Sequence, residues 1–137
     1  METRELSLDT GRAPALVDLT DACVSFLADV ADGGDGLLTV FVPHATAGVV
    51  VVELGAGSDA DLLAALERLL PHDDRWRHRH GSHGHGADHV LPLLASPSLS
   101  VPVVDGRITL GTWQSIALLD PNGDNRRRTV RLLFLTG

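Results

Sequence analysis

The apolar stretches of this chain are short, and nearly all are bounded by turn-forming residues. GLLTVFV (36–42), GVVVVEL (48–54), SLSVPVV (98–104) and RTVRLLFLTG (128–137) are rich in β-branched residues and flanked by Gly, Pro or Asp. Runs of this length and type predict strands. None approaches the ~20 apolar residues of a membrane span, so no membrane partner is expected. Residues 3–8 alternate and predict a further strand. RITLGTWQSIALLD (107–120) predicts another, broken near Gly111, and DGR (105–107) and DPNGDN (120–125) read as turns.

Two segments break this β pattern. Leu19, Ala22, Cys23, Phe26, Leu27 and Val30 recur at helical spacing, with Asp18 placed to cap the start and Gly33-Gly34 to end it. Leu62, Leu63, Leu66, Leu69 and Leu70 form a second stripe, opened by Ser58 as cap with Asp61 three residues on and stopped by Pro71. ADHVLPLLAS (87–96) suggests a short helical stretch limited by Pro92. The order β-α-β-β-α-loop-β-β-β predicts an α+β fold with a mixed or antiparallel sheet and two main helices, as a single domain over 1–137.

The chain has 137 residues, 44% of them apolar, enough for a real core. Its net charge of -7 argues against a nucleic-acid partner, which calls for a basic surface. The single cysteine, Cys23, excludes an intrachain disulfide and lies on the apolar stripe of the first helix, which suits core packing. The charged start METRELSLDT does not resemble a signal peptide, and a soluble cytoplasmic protein is expected.

Six of the seven histidines fall between His72 and His89, in PHDDRWRHRHGSHGHGADH. This segment is polar and Gly-rich, so it reads as a loop. Its histidines suit either metal binding or proton transfer, or are simply solvated. Their irregular spacing, without cysteine pairs, does not match a zinc finger. Three histidines and an open position form the catalytic-zinc pattern, and His44 is the only histidine outside the cluster. Three further features stand out. Glu53 ends a strand, where it could orient a ligand, act as a base or simply face solvent. GTWQ (111–114) sets Trp113 and Gln114 beside a glycine, as a ligand surface or as packing. Arg126-Arg127-Arg128 precede the last strand, as a phosphate fork or a solvated turn.

Together these pieces resemble the YjbQ-like family, described as secondary thiamine-phosphate synthase enzymes. The likeness covers nearly the whole chain. It rests on H-A-T-A-G at 44–48, Glu53, Asp61 opening a helix that ends at Pro71, His78, Asp88-His89, P-V-x-D-G-R at 102–107, LGTWQ at 110–114 and the arginine pair before the last strand. The resemblance implies a homotrimer and a divalent metal, expected to be zinc, held by His44, His78 and His89. It implies catalytic roles for His44, Glu53, Asp88 and His89, and binding of a small phosphorylated molecule through Thr46, Trp113, Gln114, Arg127 and Arg128. The implied reaction is a weak joining of hydroxymethylpyrimidine diphosphate to thiazole phosphate. The chain departs from the family at Ala45, Val52 and Leu91, each lacking a polar group common there. His80, His83 and His85 have no family counterpart and read as extra ligands or as solvent-facing.

Overall fold

The computed structural model describes residues 1–121 and 123–137. Its elements are β1 (Glu2–Asp9), β2 (Ala15–Asp18), α1 (Thr20–Val30), β3 (Gly36–Phe41), β4 (Gly48–Val52), α2 (Ser58–Leu69), α3 (Gly86–Val90), a 3₁₀ turn at Leu91–Leu93, β5 (Ser98–Val104), β6 (Arg107–Ile108), β7 (Ser115–Asp120) and β8 (Arg127–Thr136). They form an α+β domain with two antiparallel sheets, ordered β1-β8-β3-β5-β6 and β2-β7-β4.

The two sheets are bridged by the segment predicted as one strand over 107–120. It divides into β6 in the large sheet and β7 in the small one, with the GTWQ loop between them. β2 goes beyond the sequence reading, because ALVD is only four residues long and runs directly into the helix. Asp18 still serves the start of α1, where its Oδ1 accepts from the Thr20 N–H at 2.8 Å. Ser58 is not the cap of α2. Gly57, at φ +90°, takes that position, and Ser58 is the first helical residue. Of the predicted turn at 120–125, residue 122 lies outside the described residues.

The main core lies between the inner face of the large sheet, α1 and one face of the small sheet. Leu38, Val40, Val103, Val130, Leu132 and Phe134 meet Phe26, Leu27, Ile116 and Leu118 there. Cys23 packs in the same core, and burial pushes its thiol up to about 12, which keeps it protonated and inert. The other face of the small sheet is also covered. Val50 and Leu119 pack with Leu70, Ala87, Leu91 and Ala95 in a second cluster. Burial on both faces explains why β4 reads VVVV instead of alternating. This second cluster is the platform for α3 and the histidine-rich loop.

Candidate metal and anion site

Loop 71–85 has little regular structure, but side chains tie it down. The Trp76 indole N–H donates to Pro71 O at 2.7 Å, and the Ser82 N–H and hydroxyl donate to Asp124 Oδ2 at 2.9 and 3.1 Å. His72 bridges two carboxylates, with Nδ1 3.0 Å from Glu67 Oε2 and Nε2 2.8 Å from Asp88 Oδ1. Gly84 (φ +75°) lets the loop pass directly over His72, where a Cβ would sit 2.3 Å from the His72 carbonyl carbon.

This folding gathers four imidazoles. His78 and His80 come from the loop, His85 from the start of α3, and His89 from one turn further on. Ring centroids of His78 lie 4.0 Å from both His80 and His89, and His85 lies 4.8 Å from His89. The His85 and His89 Nε2 atoms face each other at 3.1 Å. Ligand atoms of His78, His80 and His85 all lie within 4.8 Å of one another. Among the described residues, His78 Nε2 and His85 Nδ1 are buried without a hydrogen-bond partner. Behind His85, Nδ1 lies 3.2 Å from Asp124 Oδ2 and 3.6 Å from Asp88 Oδ2. These contacts are close enough for attraction but not aligned as hydrogen bonds.

The electrostatics favour the neutral form of two members, His78 and His89. Burial, then the neighbouring imidazoles His80 and His85, lowers the pKa of His78; burial, then His78, His85 and His80, lowers that of His89. Neutral imidazole is the form that ligates metal. Burial raises the pKa of Asp88, against the opposing pull of His72. At His72 burial opposes protonation, but the hydrogen bonds to Glu67 and Asp88 outweigh it and the pKa is raised.

His80, His85 and His89 line an open hollow of about 420 Å³ that is also lined by His44, Thr46 and Arg128. His44 shares the hollow but differs from the expected third ligand. Its Nε2 accepts from the Thr129 N–H at 2.8 Å, so the ring proton is on Nδ1 and neither nitrogen has a free lone pair. Burial, then Arg128, lowers its pKa, which preserves this tautomer. His44 is therefore an N–H donor in this structure, and the imidazoles gathered with His78 and His89 are those of His80 and His85. His83 is exposed and pairs with Asp74.

The remaining expected residues divide. Arg128 points inward and Arg127 outward, as strand alternation requires. Arg128 is fully buried. Its Nε and one terminal nitrogen hold Asp120 at 2.8 Å each, and that terminal nitrogen also reaches Thr46 Oγ1 at 3.1 Å. Asp120 additionally accepts from the Thr10 hydroxyl at 2.6 Å. Arg128 thus locks the His44–Thr46 turn to the start of β8. Glu53 lines a separate hollow with Val52, Ser58 and Asp61. Trp113 is exposed, and Gln114 lines a pocket beside α1; neither borders the histidine hollow. Leu91 is buried in the second core cluster.

The sequence reading left His85 as an extra ligand or as solvent-facing and did not assign Asp124 or Asp120 to the site. His85 and His89 are four apart, a spacing that puts both on one helical face and could have revealed the pair. Nothing local marks Asp124, which meets His85 only through the fold.

An α+β domain carrying a packed group of imidazoles beside a buried arginine is a candidate metal and anion site on a two-sheet scaffold. The family model for the UPF0047 YjbQ-like proteins matches residues 4–137, and the chain belongs to that family. A UPF0047 protein of Mycobacterium tuberculosis is 58% identical over 137 residues, covering 100% of both chains. A UPF0047 protein of Archaeoglobus fulgidus is 33% identical over 129 residues, covering 92% of this chain and 96% of its own. Among solved structures, a hypothetical protein from Aeropyrum pernix superposes with a TM-score of 0.90 at 33% identity, covering 100% of both chains. A YbjQ-like protein of unknown function from Sulfolobus solfataricus shares the fold, with a TM-score of 0.91 at 24% identity, covering 99% of this chain and 97% of its own.

Proposed function

We propose that this protein binds a divalent metal, zinc by preference, through His78, His80, His85 and His89, and uses it to handle a small phosphorylated molecule in the adjoining hollow. The observation that carries the reading is the 3.1 Å approach of the His85 and His89 Nε2 atoms. Two imidazole nitrogens on one tetrahedral zinc, each ~2.0–2.1 Å from the metal, are about 3.3 Å apart. The unpartnered, buried His78 Nε2 supports a third ligand. An all-nitrogen donor set favours zinc and later transition metals over magnesium or calcium.

A bound metal would neutralise charge on a phosphate or activate water. The protein's own groups have definable tasks beside it. The His44 Nδ1–H is a donor set by its tautomer. Arg128, its charge matched by Asp120, holds Thr46 in the wall of the hollow, and Asp124 and Asp88 lie behind His85. The reaction we propose is weak thiamine-phosphate formation with release of pyrophosphate, the one the sequence resemblance implies. Ala45 lines the hollow without a polar group, which favours a low rate. We also propose a homotrimer, supported by an apolar row on the outer face of the large sheet. Leu37 pairs with Leu135 and Pro102, and Leu37, Leu135 and Val104 remain about half exposed.

The test is metal content by plasma mass spectrometry on untagged protein. Wild type, His83→Ala and His44→Ala are expected to retain metal, and His85→Ala and His89→Ala to lose it. Equal metal in all five proteins would overturn the ligand assignment.

A further inference from the structure

A second pocket, of about 390 Å³, lies between α1 and the β5–β6 hairpin and shares no lining residue with the histidine hollow. Its size is within the range of small-ligand sites. We propose that it binds an organic carboxylate with a medium-length apolar body.

The walls are apolar, formed by Val24, Leu27, Ile108 and Leu110. Val24 is 52% exposed, an apolar side chain left facing solvent on α1. The polar lining groups all have donors to offer. Gln114 Oε1 accepts from the Gly111 N–H at 2.8 Å, which fixes the amide orientation and leaves its NH₂ to donate. Thr20 Oγ1 accepts from the Ile116 N–H at 3.0 Å, which leaves its O–H. Arg107 is exposed at the pocket and makes no ion pair among the described residues. The other arginines that line pockets, Arg79 and Arg128, are both paired with aspartates.

No acidic side chain lines this pocket, although the chain carries a net charge of -7. A donor-rich rim over an apolar floor is complementary to an anionic head on an apolar tail. A planar carboxylate suits a guanidinium through paired hydrogen bonds. The proposal does not depend on metal binding.

Octanoate is the probe, titrated into the full-length protein while backbone amide resonances are followed by NMR, with acetate and octylamine as controls. Saturable movement at Val24, Leu110 and Gln114 is expected with octanoate alone. Binding should weaken about tenfold or more in Arg107→Gln, from loss of a charge-assisted contact. Val24→Glu, an exposed change that adds a carboxylate at the rim, should weaken it as well, with circular dichroism confirming that both variants fold. No saturable response to octanoate, an equal response to octylamine, or unchanged binding in Arg107→Gln would overturn the proposal.

Discussion

Replacing Arg128 by Met separates a structural role for this arginine from a purely ligand-binding one. Arg128 and Asp120 side chains are each 1% exposed and joined by two 2.8 Å hydrogen bonds. Met fills much of the volume but leaves the Asp120 carboxylate buried without its cation. The Thr10 hydroxyl still donates to it, but a neutral hydroxyl does not replace a guanidinium. Breaking a buried pair from one side costs about 3–5 kcal/mol. Against a typical total stability of roughly 5–15 kcal/mol, that is a large fraction. At roughly 3–4 °C per kcal/mol for a domain of this size, Tm should fall by about 9–20 °C. The double variant Arg128→Met/Asp120→Leu removes the stranded charge and should recover most of the loss, since apolar replacement of a buried pair is often neutral. Urea unfolding followed by circular dichroism, in EDTA to exclude metal effects, measures both. A loss below about 1 kcal/mol for Arg128→Met, or a double variant as unstable as the single, would refute the reasoning.

Three further outcomes are expected. The folded-state pKa of His72 is raised, so its contribution to stability is fully present below its unfolded value of 6.5 and is lost as pH rises through the folded value. The stability gap between wild type and His72→Gln, from urea midpoints across pH, should therefore shrink above pH 6.5; a gap that widens there would contradict the Glu67–His72–Asp88 bridge. Gly84→Ala should destabilise by more than the ~1 kcal/mol of an ordinary loop change, because its Cβ meets His72 backbone atoms at 2.3–2.4 Å and φ is +75°; an unchanged urea midpoint would refute this. Light scattering at micromolar concentration should give about three times the 14.5 kDa chain mass, and a value near one chain would exclude the trimer.

The outlines of the fold were legible because burial writes itself into local pattern. The Cys23–Phe26–Leu27 stripe and the β-branched runs at 36–42 and 48–54 gave α1, β3 and β4 almost residue for residue. The division of 107–120 between two sheets was less legible, since Gly111 signals a break but not which sheet each half joins. The site was legible as a region and not as a ligand set. His78 and His89 were expected to meet and do so across 4.0 Å, but the third expected ligand, His44, has no lone pair left free. Its Nε2 is committed to the Thr129 N–H, a contact spanning 85 residues that no spacing rule reveals. Likewise Arg128 carried a phosphate reading because sequence shows an arginine's charge but not its partner. Asp120, eight residues upstream at the end of β7, comes opposite it only when β7 and β8 lie in different sheets. Local pattern therefore located the chemistry, while the assignment of each lone pair and each donor depended on long-range register. That is why the pairing of His85 with Asp124, made only by the meeting of α3 with the segment between β7 and β8, belongs to the site in the structure and not in the sequence reading.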